Sequence, residues 1–383
     1  MQPEDLRVAL FSGNYNYVKD GANQALNRLV RHLLSRGVKV RIYSPTVDNP
    51  PFPATGEVVS IPSIALPGRD EYRFGFGLIG NGSDIAAFDP HIVHIASPDL
   101  IGHRAAAWAH RHYVPLVASV HTRFETYFRY YRAAWMQTFI EAALRRLYRR
   151  CAEIYAPSES MAAVLTDQRM NRNVKIWSRG IDGDIFCPEK RDLPWRRELG
   201  IGDDEKVILF VGRLVLEKGL DTFADTLAEL DRRKVAYRAL FVGEGPARKW
   251  IEERAPQGVF TGFLAGEALA RAFASADIMF NPSSTETFGN VTLEAMASGL
   301  PVVAARATGS LSLVEDGVNG RLTTPDSIRQ SADALAFYLN DPEERARAGQ
   351  AGRERSKRFD WDTINEGLLQ RYLLVAERKT APR

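Results

Sequence analysis

Residues 276–304, ADIMFNPSSTETFGNVTLEAMASGLPVVA, constrain the fold of this chain more than any other stretch. Two short apolar runs, 276–280 and 301–304, read as strands, and between them lie a Ser/Thr-rich loop and a helical pattern that begins near Gly289. That is a β–loop–α–β unit. The same succession opens the chain: a strand at 6–11, the loop SGNYNYVKDGAN, a helical pattern through Ala25, Leu29, Leu33 and Leu34 that ends at Gly37, and a strand at 38–43. A second opening of this kind starts at 207–211. The pattern predicts an α/β protein of two Rossmann-like, doubly wound domains. At 383 residues the chain is long enough for two cores. We place the first domain at 1–186, with the boundary at Phe186-Cys187-Pro188, the second at 187–358, and a terminal helix within 359–383.

Doubly wound domains keep their ligands at the carboxyl ends of strands, and that rule selects the candidate residues. In the 276–304 unit the loop runs straight into the helix, so backbone N–H groups around Phe288, Gly289, Asn290 and Val291 form a helix start that favours an anion. Glu286 in the loop and Glu294 on the helix bracket it. On one helix their spacing would correspond to ~12 Å of rise, too far for the side-by-side carboxyls of a retaining glycosidase, roughly 5 Å apart. They look like holders of two parts of one long ligand, although the spacing alone also fits two surface glutamates near a helix start.

Arg213 and Lys218 stand in GRLVLEKGL, the loop after strand 207–211, where a guanidinium and an ammonium can neutralise a diphosphate. Glu244 lies in the tight turn GEGP after strand 239–242, and Gly262-Phe263 end strand 259–263. In the first domain the strand 115–120 runs into His121, and the loop after strand 6–11 carries Gly21 and Asn23, where Gly21 could equally serve only to permit a turn.

The E-x7-E pair within TETFGNVTLEAMASGLPVV, together with the Gly-Arg…Glu-Lys-Gly loop, closely resembles the signature of the retaining family-4 glycosyltransferases, which have the GT-B fold of two domains facing a cleft. The resemblance extends over nearly all of the chain, through the runs SxHT, WSRGID and ETFGN, and is greatest to bacterial enzymes that mannosylate, glucosylate or glucuronosylate lipid-type acceptors. It implies that the first domain serves the acceptor and the second the nucleotide sugar. Glu286 would contact hydroxyls of the donor sugar, Glu294 the ribose, Arg213 and Lys218 the diphosphate, His121 the sugar, and Gly21 the sugar or diphosphate. The loops at Glu244 and at Gly262-Phe263 would hold the base, and the terminal helix would cross back onto the first domain. No cofactor beyond the donor is implied. Transfer would proceed with retention and without a metal, since the D-x-D at Asp182-Gly183-Asp184 lies in a segment resembling the inter-domain linker.

Charge supplies a further partner. Residues 1–186 hold 22 Lys and Arg against 17 Asp and Glu, and residues 121–150 alone account for that +5, with seven arginines and two acids. From Trp135 the apolar residues 135, 136, 139, 140, 143, 144, 147 and 148 form a helical stripe flanked by Arg145, Arg146, Arg149 and Arg150. The preceding residues, 124–132, alternate aromatic and basic side chains. Such a segment, 123–150 as a whole, suits an anionic membrane surface; the competing expectation is an ordinary helix packed on its domain. Two cysteines, no signal-peptide pattern and no stretch of 18 apolar residues fit a cytoplasmic protein, peripheral on the inner membrane face at most. No nucleic-acid partner is expected.

Two other classes remain open at this point. An epimerase or phosphorylase could use the same fold, and Gly75–Gly80 spells G-x-G-x-x-G, the mark of a dinucleotide oxidoreductase. We reject the latter because GRDEYRF before it is no apolar strand and no helix pattern follows it.

Overall fold

The computed structural model describes residues 1–18, 21–66, 69–78, 80–121 and 137–380. Two compact units emerge, one of residues 1–179 and 361–383, the other of residues 180–360.

The first unit holds a parallel sheet built from β1 (Arg7–Phe11), β2 (Lys39–Ser44), β3 (Glu57–Ser60), β6 (Ile92–Ile95), β7 (Leu116–Ser119), β8 (Glu153–Ala156) and β9 (Val174–Ile176), in the order β3-β2-β1-β6-β7-β8-β9. β4 (Ser63–Leu66) and β5 (Arg69–Gly75) form a separate antiparallel pair. Strands buried on both faces read as continuous apolar runs, and β1 shows how. Val8 and Leu10 pack with the helix Gly21–Ser35 and the C-terminal helix Trp361–Thr380, while Ala9 and Phe11 pack with the helix Leu100–Arg111 on the other face. Leu369 and Tyr372 of the C-terminal helix are fully buried there, so truncating Leu369 would cost about 2–5 kcal/mol.

In the second unit β10 (Val207–Val211), β11 (Arg238–Val242), β12 (Val259–Gly262), β13 (Ile278–Asn281), β14 (Val302–Ala305) and β15 (Gly320–Thr323) are ordered β12-β11-β10-β13-β14-β15, all parallel. In both sheets the strand order reverses beside the first strand of the unit, which creates a crevice at the carboxyl ends. β10 again alternates, Ile208 and Phe210 toward one core, Val207 and Leu209 toward the other.

Three expectations need adjusting. The units divide after Arg179 rather than after Phe186, because Ile181 N–H donates to Phe359 O at 2.8 Å and the Phe186 ring stacks edge-on against Phe273, tying 180–187 to the second unit. The glycine run at 75–80 is preceded by a strand after all, but a polar one paired only with β4, and a short helix, Gly82–Phe88, does follow. Since β5 lies outside the parallel sheet, the run still lacks the strand-to-helix setting of a dinucleotide loop. Finally, Gly21 and Asn23 belong to the first turn of a helix, not to a loop.

Candidate functional site

The second unit places its candidate residues at the carboxyl ends of β10, β11, β12 and β13, with the end of β14 beside the last of them. β13 ends at Asn281, whose buried amide donates to Thr292 Oγ1 at 3.1 Å while its oxygen accepts from Ser283 N–H, so the loop after β13 is tied to the helix that follows. Farther along, the Glu286 carbonyl accepts from Gly309 N–H at 2.9 Å and from Thr308 Oγ1 at 2.8 Å. Both donors come from the first turn of the helix Thr308–Leu313, which follows β14. Gly309 must be glycine for this approach, because a Cβ there would lie 2.7 Å from Phe288 O and 2.9 Å from Glu286 Cβ. The backbone of Glu286 is thus clamped, and its carboxylate accepts from Lys218 Nζ at 2.6 Å. Lys218 ends a single 3-10 turn, Leu216–Lys218, that closes at Gly219 against the Pro282 carbonyl.

Just beyond, Phe288 is buried and Gly289 adopts φ +93°, opening the helix Asn290–Ala297 without a side-chain cap on its first donors. The partial positive charge of that helix start lies beside Glu286 in the chain, with Asn290 and Val291 in its first turn. Glu294 is one turn further on. Burial pushes its carboxyl up to about 8, well above the ordinary carboxylate range. The sign follows: the unfolded chain ionises this group first, so stability is highest at low pH and declines as pH rises from the carboxylate range toward 8. Replacing Glu294 with Gln should therefore raise the melting temperature of the ligand-free protein at about pH 9 and leave it nearly unchanged at about pH 5. An equal shift at both pH values would assign the effect to packing instead.

Arg213 is exposed in the loop after β10. That loop is laced to its neighbours by backbone bonds: Leu214 N–H to Glu244 O at 2.9 Å, Gly212 N–H to Val242 O at 3.0 Å, and Gly243 N–H to Gly262 O at 2.8 Å. Gly243 admits no side chain, since a Cβ would fall 1.9 Å from Gly212 O. The Glu244 carboxylate pairs with Arg248 at 2.5 Å, and Phe263 beyond Gly262 is exposed. Three strand-end loops thus form one rim, from which Arg213, Glu244 and Phe263 project.

In the first unit, His121 lies two residues past β7, its Nε2 2.8 Å from Ser119 Oγ and its Nδ1 2.7 Å from Arg179 Nη2. Asn23 is buried and donates to Val18 O, while Asn27 donates to Tyr15 O and accepts from Thr55 N–H. These amides secure the loop after β1, so the Asn23 side chain serves local structure. The aromatic-basic residues 124–132, like Trp135 and Met136, lie outside the described residues. In the helix Gln137–Tyr148 the apolar stripe divides. Leu144, Leu147 and Tyr148 are buried and Ile140 packs on the core, whereas Phe139 is 71% exposed and Ala143 is exposed on the side of Arg146 and Arg150.

Sequence reasoning missed Thr308 and Gly309, which clamp Glu286, and Arg179, which holds His121. The run ATGS after β14 had the small, polar character of a ligand loop; Arg179 was hidden in what read as a linker.

Residues 19–184 match the domain described as Glycosyltransferase Family 4, and residues 192–355 match Glycosyl transferases group 1. A GDP-mannose-dependent alpha-mannosyltransferase of Mycolicibacterium smegmatis is 32% identical over 386 residues, 98% of this chain and 99% of that one. An alpha-monoglucosyldiacylglycerol synthase of Streptococcus pneumoniae is 25% identical over 334 residues, 83% of this chain and 75% of that one. Among solved structures, a sucrose-phosphate synthase from Thermosynechococcus elongatus superposes with a TM-score of 0.78, at 21% identity, over 97% of this chain and all of the other. Two parallel Rossmann-like sheets, full-length likeness to a mannosyltransferase and both matching domains lead to one conclusion: the chain is a GT-B glycosyltransferase and belongs to glycosyltransferase family 4.

Proposed function

We propose that the chain transfers a hexosyl unit from a nucleoside diphosphate sugar to a hydroxyl of a lipid or glycolipid, with retention of anomeric configuration and without a metal. The observation that carries this reading is the Lys218 Nζ to Glu286 carboxylate contact of 2.6 Å beside an uncapped helix start. An ammonium, a helix N-terminus and a carboxylate side by side suit a phosphate joined to a polyhydroxylated ring. Lys218, Arg213 and the donors at Gly289, Asn290 and Val291 stabilise charge on the departing diphosphate, which is electrostatic preorganisation. Glu286 accepts from sugar hydroxyls and Glu294 from ribose hydroxyls. The acceptor oxygen bonds to the anomeric carbon on the face the diphosphate leaves, the bond from that carbon to the phosphate oxygen breaks, and the acceptor's proton passes to a phosphate oxygen. Arg213 and Lys218, both between β10 and the helix that follows it, support a site neutralised by side-chain cations.

The dependence of a mannosyltransferase relative on GDP-mannose and the product of a diacylglycerol-glucosylating relative, as their names state, support a nucleotide sugar and a lipid. The test is a panel of nucleotide sugars with and without lipid acceptor, in chelator, with the product anomer assigned by NMR. Donor consumption only in the presence of acceptor, and an α-linked product from an α-linked donor, is the expected result. Consumption of donor alone would point to an epimerase, and activity restored only by magnesium or manganese would overturn the metal-free mechanism.

No described helix is long and apolar enough to cross a membrane, so lipid would be met at a surface. Phe139 and Arg146 share an exposed face of the helix Gln137–Tyr148, Arg150 is exposed in the turn just past its end, and each basic group near an anionic leaflet contributes about 1 kcal/mol. Exchanging Arg146 and Arg150 for Glu should weaken sedimentation with anionic vesicles, and wild-type binding should fall steeply with salt because the attraction is screened over about 8 Å. Equal binding by both proteins would remove this face from the account.

A further inference from the structure

A chain of hydrogen-bonding side chains crosses the first unit. Tyr372 Oη lies 2.6 Å from His94 Nδ1, His94 Nε2 lies 2.9 Å from Ser119 Oγ, and Ser119 Oγ lies 2.8 Å from His121 Nε2. The last link joins His121 Nδ1 to Arg179 Nη2 at 2.7 Å. Tyr372 and His94 are fully buried, and Ser119 and Arg179 nearly so.

One end of this chain has a single chemical solution. A guanidinium carries only donors and stays charged, so Arg179 donates and His121 Nδ1 must accept. The only ring proton of His121 then sits on Nε2 and is donated to Ser119. A second proton on Nδ1 would set two N–H groups against each other beside a fixed positive charge. Burial, the Arg179 charge and His94 together hold the imidazole's proton affinity well below the usual histidine range, and burial takes His94 down to about 3. Trp177 braces the arrangement: its ring meets His121 edge-on at 5.7 Å, carries the Arg179 guanidinium at 5.0 Å, and donates from Nε1 to Asn365 Oδ1 at 3.2 Å. Asn365 and Tyr372, two turns apart, both belong to the C-terminal helix. Around His94 stand the rings of Tyr155, Tyr372 and Trp177, and behind Tyr155 the buried Glu153 is paired with Arg371.

We propose that Arg179 and Tyr372 are positioning residues for His121: Arg179 holds the imidazole in its neutral, Nε2-protonated form, and Tyr372 anchors that form to the C-terminal helix through His94 and Ser119. This rests on the reading that His121 faces the transferred sugar. His121 then presents a ring of fixed orientation and charge to the donor and exchanges no proton during transfer. The far terminus of the chain sets the geometry of a residue at a strand end in mid-sequence.

Ring nitrogen NMR of the full-length protein labelled on histidine tests the assignment, with His121 identified by loss of its signals in His121→Gln. The expected spectrum has a bare Nδ1 and a protonated Nε2 that do not titrate from about pH 6 to about pH 8, where a free histidine would change. Tyr372→Phe, which removes only the hydroxyl, should shift the ring signals of His94 and His121 and lower kcat about tenfold while KM for donor moves less than about twofold, the pattern of lost orientation rather than lost binding. Arg179→Lys, which keeps a donor, should retain more activity than Arg179→Met. A proton on Nδ1, a titration within that pH range, or a folded Tyr372→Phe protein with wild-type kcat and His121 signals would overturn the proposal. Addition of nucleotide sugar separates the two readings: His121 signals that ignore it would refute the sugar-facing role while leaving the protonation assignment standing.

Discussion

Alanine in place of Lys218 or of Glu286 should lower turnover by at least tenfold, about 1.4 kcal/mol of barrier, and leave the protein folded. Both side chains are partly exposed, 32% and 18%, in strand-end loops, and pairs of that kind contribute only about 0–1 kcal/mol to stability. Folding therefore tolerates the loss. Catalysis should not, because on the proposed mechanism each group both touches the donor and holds the other in place. The double variant should consequently lose less than the product of the single losses, since residues that act as a unit are not additive. Steady-state kinetics on the four proteins, with circular dichroism to verify folding, measures the coupling. Wild-type turnover in either folded single variant, or strictly multiplicative losses, would refute the shared role.

Valine in place of Gly309 should lower turnover by about a hundredfold, the scale of a misplacement near 1 Å. The new side chain has to fit where a Cβ already lies 2.7 Å from Phe288 O and 2.9 Å from Glu286 Cβ. Backbone rather than a flexible side chain is the obstacle, so the helix Thr308–Leu313 must back away and release the Glu286 carbonyl from both of its donors. The overpacking itself costs about 1–3 kcal/mol of stability. Introduced into a Glu286→Ala protein, the same substitution should cost far less activity than in the wild type, because its effect travels through Glu286. A full hundredfold loss in that background would show that Gly309 acts elsewhere.

Local signals carried the architecture a long way. Apolar runs at 6–11, 207–211 and 301–304 correspond to β1, β10 and β14 because a strand covered on both faces has no polar side to display. The helix after Gly289 was legible from the loop that precedes it, and Glu286, Lys218 and Arg213 follow the ends of apolar runs that are strands in the structure. Periodicity reached its limit at the helix Gln137–Tyr148. An apolar stripe says which side of a helix prefers cover, not how wide the cover is, and Phe139 is left exposed where the neighbouring core ends.

By itself, then, the sequence determined the class of fold, the strand ends where ligands collect and the glycosyltransferase signature written into those loops, all of which depend on residues close together in the chain. Only the tertiary structure decided which of those residues meet. Lys218 and Glu286 are 68 positions apart, Thr308 and Gly309 reach Glu286 from another crossover, and Tyr372 reaches toward His121 across 278 residues to His94. Such encounters are set by strand order and register in the two sheets, quantities fixed by the packing of whole elements against one another and not by any local pattern of side chains.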